Sequence, residues 1–255
     1  MSARLEALGL RVRRRAREVL RGVDFEASAG ELTSVLGPNG AGKSTLLSAL
    51  ATLLPSEGSI TLDGADLRAM EPKARARRLA YVPQQTLLRS SMLARTVVEH
   101  GRYAHHEDPW ARIGTADRDA VMRALARTTA SELAERRFDR LSVGEQRRVL
   151  VARALATEAK VLLLDEPTEA LDVRHTLELF ALLRELVGEG YCVVAVLHDL
   201  DHARRYADRA VLIRAGELVA SGPSEDVVSD SRVREVYGVA LKESHALGYE
   251  RLEAE

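Results

Sequence analysis

Apolar and polar residues alternate over the first 30 positions, and this pattern predicts two antiparallel strands. The apolar positions that define the pattern are Leu8, Leu10, Val12, Val19, Leu20, Val23 and Phe25. A basic stretch that includes Arg14, Arg15 and Arg17 separates the two groups. We therefore expect a hairpin whose connection is a solvated, positively charged turn.

The pattern then changes to short apolar runs that alternate with helical spacing. The predicted strands are 32–36, 59–62, 78–84 with a loop at its end, 161–164, 193–197 and 210–213, and the predicted helices are 44–52, 173–188 and 200–207. Between about 91 and 157 the spacing is helical throughout. Strands that alternate with helices are typical of a parallel sheet with crossover helices.

The chain has 255 residues, of which 46% are apolar, so it can form a substantial core. We predict a single domain over 1–255 with three parts. These are a β-rich part at 1–86, a helical part at 87–157, and an α/β core with a C-terminal segment at 158–255.

The segment after the strand at 32–36 fits the phosphate-binding pattern G-x-x-x-x-G-K-[ST]. It consists of Gly37, Pro38, Asn39, Gly40, Ala41, Gly42, Lys43, Ser44 and Thr45. Glycines allow backbone N–H groups to approach a phosphate chain, and the helix N-terminus adds a positive dipole end. Lys43 is expected to contact the β- and γ-phosphates, and Ser44 a Mg²⁺ ion. The strand and helix on either side argue against a chance glycine-rich turn.

The apolar strand at 161–164 ends in two carboxylates, Asp165 and Glu166. At the end of a buried strand, Asp165 is expected to hold Mg²⁺. Glu166 lies one residue further out, where it can act as a general base toward water that attacks the γ-phosphate. The alternative is a pair of solvated carboxylates with no role, which the preceding P-loop makes the weaker interpretation.

Composition narrows the possible partners. Lys and Arg total 37 and Asp and Glu 38, for a net charge of −1, so we expect no nucleic-acid partner. The single cysteine, Cys192, excludes a disulfide within the chain and fits a reducing compartment. No apolar stretch reaches the roughly 18 residues of a membrane span, and the N-terminus lacks a secretory signal pattern. We expect a cytoplasmic protein that reaches a membrane only through another chain.

Four further segments resemble the ABC ATPase family. Residues 141–148, LSVGEQRR, resemble its signature motif LSGGQ. Gln84 after Tyr-Val-Pro resembles the Q-loop, Asp172 after Ala-Leu the D-loop, and His198 the switch histidine. The resemblance extends from about residue 4 to 240. It implies an α/β fold of the P-loop NTPase type, an ABC-type nucleotide-binding domain with an N-terminal antiparallel β subdomain and a helical insert. It also implies ATP and Mg²⁺ as cofactors.

The resemblance also implies roles for individual residues. Gln84 would contact Mg²⁺ and the attacking water, and His198 would hold Glu166 and the γ-phosphate. Two copies would enclose two ATP molecules. In that arrangement the signature residues Ser142, Gly144 and Glu145 approach the nucleotide of the opposite copy, and Asp172 lies at the seam between the copies.

Within the family, several segments resemble importer ATPases for iron–siderophore, heme and cobalamin. These segments are 96–102, 197–200, 205–209 and 236–239. This implies a peripheral protein at the cytoplasmic face of the membrane, bound to a dimeric polytopic permease and indirectly to a periplasmic or extracellular substrate-binding protein. We expect an apolar docking cleft beside residues 84–106, lined by Met92, Leu93, Val97 and Tyr103. His105 and His106 are expected to be surface or interface residues rather than a metal site.

The chain departs from the family pattern at three places. Val143 replaces the first signature glycine and would crowd the approach to a γ-phosphate. Arg13, Arg14 and Arg15 stand where an aromatic residue usually stacks on adenine, although a guanidinium plane can also stack on a base. Glu169 replaces a serine of the D-loop, and ATP hydrolysis is still expected.

Two other functions compete with an importer ATPase. A soluble non-transport ABC protein usually carries two cassettes or a long coiled-coil insertion, and this chain has neither. A P-loop kinase would leave the signature segment and His198 unexplained. An ABC subunit that energises transport of another substrate class stays open, because the substrate contacts other proteins of the importer.

Overall fold

The chain folds around two β-sheets, one antiparallel and one mostly parallel, in a computed structural model that describes residues 3–15, 17–84, 91–108 and 113–238. The strands are β1 (Arg4–Arg14), β2 (Arg17–Ser28), β3 (Glu31–Leu36), β4 (Glu57–Leu62), β5 (Ala65–Asp66), β6 (Leu79–Val82), β7 (Val161–Leu164), β8 (Cys192–Val196), β9 (Arg209–Arg214) and β10 (Glu217–Pro223). The helices are α1 (Lys43–Leu50), α2 (Pro72–Ala76), α3 (Ala94–Glu99), α4 (Thr115–Arg127), α5 (Val143–Ala156), α6 (Val173–Gly188), α7 (Leu200–Tyr206), α8 (Ser224–Val227) and α9 (Asp230–Tyr237). This architecture is the α/β fold of a P-loop NTPase, as predicted.

The antiparallel sheet has the strand order β2-β1-β4-β5 and contains the predicted hairpin of β1 and β2. The alternation holds for Leu10 and Val12, which are buried, but it is wrong for Leu8, which is exposed. The strand register shifts between Ala7 and Leu10, and Gly9 has φ +60°. An irregularity of this kind reverses the side chains that face the core, so Leu8 points to the opposite side.

The second sheet has the order β10-β9-β3-β8-β7-β6, in which only the pairing of β9 with β10 is antiparallel. The alternation of strands and helices predicted this parallel arrangement, but β10 was missed because its apolar positions are few. Parallel strands end at a common edge. The P-loop follows β3, Gln84 follows β6, Asp165 follows β7 and His198 follows β8, so one edge of the sheet receives these predicted site residues.

Two apolar clusters hold these layers together. One fills the space between the two sheets and includes Leu46, Leu47 and Leu50 of α1. The other covers the opposite face of the parallel sheet and joins it to α3, α4, α5 and α6. Cys192 is buried in the first cluster, and this burial raises the pKa of its thiol to about 12. No helix among the described residues is both long and apolar enough to cross a lipid bilayer.

The region predicted to be helical contains α3, α4 and α5 with short 3₁₀ segments between them. The first of these segments, His100–His105, packs closely on α5 at Gly101. A Cβ at that position would come within 2.3 Å of the Arg153 carbonyl oxygen, so the close approach requires glycine. Next to it, the buried Arg102 donates to Asp117 at 2.9 Å and to Glu158 at 2.8 Å. The buried guanidinium therefore joins the 3₁₀ segment to α4 and to Glu158, which lies just after the end of α5.

Candidate nucleotide-binding site

The loop at 37–42 takes a shape that depends on its glycines. Gly37 has φ +147°, and a Cβ there would lie 2.1 Å from the Ile213 carbonyl oxygen of the neighbouring strand. Gly42 has φ +108° and directly precedes α1. Side chains at these positions would strain the backbone or displace a strand. The first N–H groups of α1 are therefore presented at the end of β3, where a phosphate can bind.

Lys43 is folded back onto this loop. Its Nζ donates to the carbonyl oxygens of Gly37 at 2.7 Å and Pro38 at 3.2 Å. Burial lowers the pKa of the Lys43 ammonium, while the negative charges of Glu166 and Asp165 oppose this effect. The loop therefore holds a cation among acceptors that a phosphate chain can replace.

Asp165 faces Ser44 from the end of β7. The Ser44 hydroxyl donates to Asp165 Oδ1 at 3.0 Å, and the Tyr81 hydroxyl lies 3.4 Å from Oδ2. Burial raises the pKa of the Asp165 carboxyl, an effect that the Ser44 hydrogen bond opposes. A hydroxyl oxygen and a carboxylate lie side by side here, and hard cations such as Mg²⁺ prefer oxygen ligands of this kind.

Glu166 is held from both sides. Gln84 Nε2 donates to Glu166 Oε2 at 2.7 Å, and His198 Nε2 lies 2.6 Å from Oε1. The backbone at Glu166 has φ +49°, an uncommon conformation for a non-glycine residue. Three sequence-predicted residues from three different strand ends therefore meet at one carboxylate.

These groups line an open cleft of about 1050 Å³. The predicted site residues that line it are Asn39, Gly40, Ala41, Gly42, Lys43, Ser44, Thr45, Gln84, Glu166 and His198. Arg14 and Val19 of the hairpin also line the cleft, as does Glu169, which follows β7. Of the three arginines considered for base stacking, Arg14 is the one that lines the cleft.

The signature residues do not line this cleft. Ser142 caps α5 by accepting from the Glu145 N–H at 3.2 Å, and Glu145 Oε2 accepts from the Ser142 N–H at 2.7 Å. Asp172 caps α6 by accepting from the His175 N–H at 2.8 Å. Val143 is 61% exposed at the start of α5. Within the chain these residues build helix ends, and the start of α5 is free to face another molecule.

Gly144 lies against the loop that follows Glu166. A Cβ on Gly144 would be 3.4 Å from both the Ala170 carbonyl oxygen and the Leu171 side chain. This is ordinary to tight van der Waals contact, so the start of α5 is packed on the segment that leads to Asp172.

Two residues near Asp165 and Glu166 received no role in the sequence analysis. Tyr81 contacts Asp165 and lies 3.3 Å from the Ser48 hydroxyl. Arg147 is buried and binds the backbone at Pro83 and Gln84. The sequence could have pointed to Arg147 only through its place in the signature segment, since an arginine on a helix is usually exposed.

The docking residues predicted from the sequence do not share one surface. Met92 is 39% and Tyr103 52% exposed, and Leu93 is partly buried. Val97 is fully buried in the core beneath α3, so its assignment to an exposed cleft is wrong. The helical spacing of α3 places Val97 and Val98 toward α5 rather than toward solvent. Part of the segment 84–106, residues 85–90, lies outside the described residues.

His105 and His106 are partly buried and point to different partners. His105 Nε2 lies 2.8 Å from the Thr157 carbonyl oxygen, and His106 Nε2 lies 3.2 Å from Asp117 Oδ2. The two rings therefore belong to the packing around Arg102 rather than to one common ligand site.

Comparison with known proteins agrees with this geometry. A profile of the ABC transporter family matches residues 20–169. The hemin import ATP-binding protein HmuV of Streptomyces coelicolor is 46% identical over 232 residues, covering 90% of this chain and 81% of that protein. The ferric enterobactin transport ATP-binding protein FepC of Escherichia coli is 37% identical, covering 87% of this chain and 82% of that protein.

A solved dimeric structure of a bacterial ABC transporter cassette superposes with a TM-score of 0.78 at 28% identity, covering 87% of this chain and 99% of that one. The chain belongs to the ABC transporter family of ATP-binding cassettes. It is an ATPase, and it resembles importer ATP-binding subunits over most of its length.

Proposed function

We propose that this chain powers the uptake of heme or a ferric siderophore, as one of two identical ATPase subunits at the cytoplasmic face of a membrane. The observation that carries the proposal is the convergence of Lys43, Ser44, Glu166 and His198 on one cleft at the edge of the parallel sheet. Asp165 lies behind this lining and accepts a hydrogen bond from Ser44. The substrate class is inferred from the hemin and ferric enterobactin relatives.

The site residues have distinct roles in this proposal. Lys43 and the N–H groups of α1 bind the phosphates. Ser44, Asp165 and the amide of Gln84 would hold Mg²⁺, which neutralises phosphate charge when bound. Glu166 accepts a proton from the attacking water, and His198 keeps the Glu166 carboxylate oriented toward the cleft. The contacts of Glu166 with Gln84 and His198 support this assignment.

Two copies are needed for a complete site. Ser142, Val143 and Gly144 at the start of α5 do not line the cleft of their own chain, and Val143 is exposed. A helix N-terminus is a favourable partner for a phosphate. The dimeric cassette structure supports a second copy as the source of that phosphate, with Asp172 at the seam.

The membrane subunit is proposed to dock around α2. Leu53 is 59% exposed and lines a groove with residues of this helix, and Tyr103 is 52% exposed with Lys73 of the helix over its ring. A shallow groove of about 180 Å³ lies beside Leu53 and reaches Pro72 and Leu79. On the Tyr103 side, Lys73 Nζ donates to the His106 carbonyl oxygen at 2.7 Å and fixes α2 to the helical region. A short apolar helix of a permease would cover both exposed side chains.

The test is co-purification of the chain with the polytopic membrane protein encoded beside it. We expect the double variant Leu53→Glu/Tyr103→Glu to lose the membrane subunit and heme-dependent transport, while basal ATP hydrolysis continues. Leu8→Glu, an equally exposed leucine on the antiparallel sheet, is the control and should retain both. Retention of the membrane subunit at the native ratio in the double variant would place docking elsewhere. Transport of neither heme nor ferric siderophore by the intact complex would refute the substrate class.

A further inference from the structure

Helix α5 reaches the catalytic site of its own chain through one side chain. Arg147 is only 4% exposed. Its Nη1 donates to the Pro83 carbonyl oxygen at 2.6 Å, and its Nη2 donates to the carbonyl oxygen of Gln84. A guanidinium presents its donors in a rigid planar fork, so bonds to two consecutive carbonyls fix both the position and the direction of that backbone.

The backbone held in this way carries the Gln84 side chain, whose amide donates to Glu166. Arg147 on α5 is therefore linked to the proposed base by two hydrogen bonds, one to the backbone of Gln84 and one from the Gln84 side chain. The second contact of α5 is Gly144 against the loop at Ala170 and Leu171. The first residues of α5 thus contact two segments next to Glu166: the backbone at Gln84, whose side chain binds Glu166, and the loop that follows Glu166 in the sequence.

The surroundings of Arg147 are acidic. Burial lowers the pKa of its guanidinium, and the negative charges of Glu169, Asp165 and Glu166 oppose that change. A buried cation is costly unless it is hydrogen-bonded and balanced by nearby charge. Both conditions are met here, at the point where the loop with Gln84 leaves β6.

We propose that Arg147 is a positioning residue that ties α5 to Gln84, so that seating α5 on the nucleotide of a second copy sets the contact between Gln84 and Glu166 in its own chain. The seating of α5 on the nucleotide of a second copy rests on the function proposed above. The link from α5 to Gln84 within one chain is independent of that proposal.

The first experiment compares Arg147→Gln with Arg148→Gln in the full-length protein. Both remove one charge from the same helix, but Arg148 binds the Thr129 carbonyl and Glu132, away from the site. We expect Arg147→Gln to lower kcat about 10-fold or more, because small misplacements of catalytic groups are expensive. ATP affinity should be unchanged, since the P-loop is intact. Arg148→Gln should retain the native kcat.

Hydrogen exchange supplies a readout that does not depend on activity. Amides of β6 and Gln84 should exchange faster in Arg147→Gln than in Arg148→Gln, because the loop has lost its two anchors. Arg147→Lys keeps the charge without the fork, and we expect it to show intermediate exchange and intermediate kcat. It also serves as the test variant if Arg147→Gln does not fold. Equal exchange and equal kcat in the Arg147 and Arg148 variants would overturn the proposal.

Mixed dimers test whether Arg147 acts in its own chain. An Arg147→Gln copy paired with a Lys43→Ala copy has the substitution and the active P-loop in the same chain. A native copy paired with an Arg147→Gln/Lys43→Ala copy has them in different chains. We expect hydrolysis to fall only in the first pair, relative to a native copy paired with Lys43→Ala. A loss confined to the second pair would refute the link through Gln84. Failure to form dimers would count against the proposed function, while hydrogen exchange still tests the link.

Discussion

Glu166 owes its position to neighbours that come from separate parts of the sequence. Its two oxygens contact Gln84 and His198, and its backbone takes the uncommon φ of +49°. Sequence order alone gives a carboxylate one residue after Asp165. The orientation of that carboxylate comes from the ends of β6 and β8, which the parallel sheet brings to the same edge.

Glu166→Gln tests the assignment of the base. The amide cannot accept the proton of the attacking water, and loss of a general base typically removes 10²–10⁴-fold of the rate, so turnover should fall by about that factor. ATP binding should remain, and a nucleotide-bound dimer should accumulate on gel filtration. Normal phosphate release from the purified variant would show that another group acts as the base.

At the scale of single residues, some of the site residues could be predicted from the sequence and others could not. The P-loop, Asp165 and Glu166 are recognisable because their chemistry requires a fixed order of residues at a strand end. Val97 was misplaced because an apolar residue on a short helix gives no indication of which neighbour covers it. Arg147 was missed because its partners are backbone carbonyls, which leave no trace in side-chain patterns.

At the scale of elements, the buried guanidinium of Arg102 joins parts of the helical region. Arg102 contacts Asp117 of α4, the Ala156 carbonyl at the end of α5 and Glu158. Burial acts to raise the pKa of Asp117, but the hydrogen bonds from Arg102 and the Gly114 N–H, together with the positive charge of Arg102, outweigh it and the net shift is downward. Periodicity predicted a helical pattern over about 91–157 but not the boundaries of the separate helices. It also did not predict the 3₁₀ segment that carries Arg102, because the tight turn there depends on the approach of Gly101 to α5.

Arg102→Met should therefore destabilise the fold. Removing one partner leaves Asp117 buried without its cation, and such changes typically cost about 3–5 kcal/mol in the free energy of unfolding. Arg123→Met is the control, because Arg123 pairs with the same Glu158 at 3.3 Å from an exposed position. That variant should lose no more than about 1 kcal/mol. Urea unfolding followed by circular dichroism measures both, and equal losses would show that the buried cluster contributes no more than a surface pair.

At the scale of the whole molecule, the proposed dimer would bring the cleft and the start of α5 of one chain to two different nucleotides. The architecture of two sheets and a helical region was predictable, because alternating strands and helices admit few arrangements. The side of α5 that faces outward was not predictable from its sequence, since Val143 is an apolar residue that is 61% exposed.

Val143→Gly should raise turnover if this start of α5 meets a γ-phosphate of the second copy. A valine restricts the backbone and crowds the approach of a phosphate, and glycine removes both effects. The gain should be seen only at protein concentrations where dimers form. We would measure phosphate release against concentration with the membrane subunit present. Unchanged or lower turnover would show that the loop is adapted to valine.

The buried thiol of Cys192 has a practical consequence for labelling this chain with spectroscopic probes. Thiol reagents attack the thiolate, and a pKa of about 12 together with full burial in β8 keeps that form scarce. The native chain is therefore a ready background for spectroscopic probes. A single cysteine introduced at an exposed position of α5 can carry a fluorophore or spin label without prior removal of the native residue, and the distance between two such labels would report whether two copies assemble as proposed.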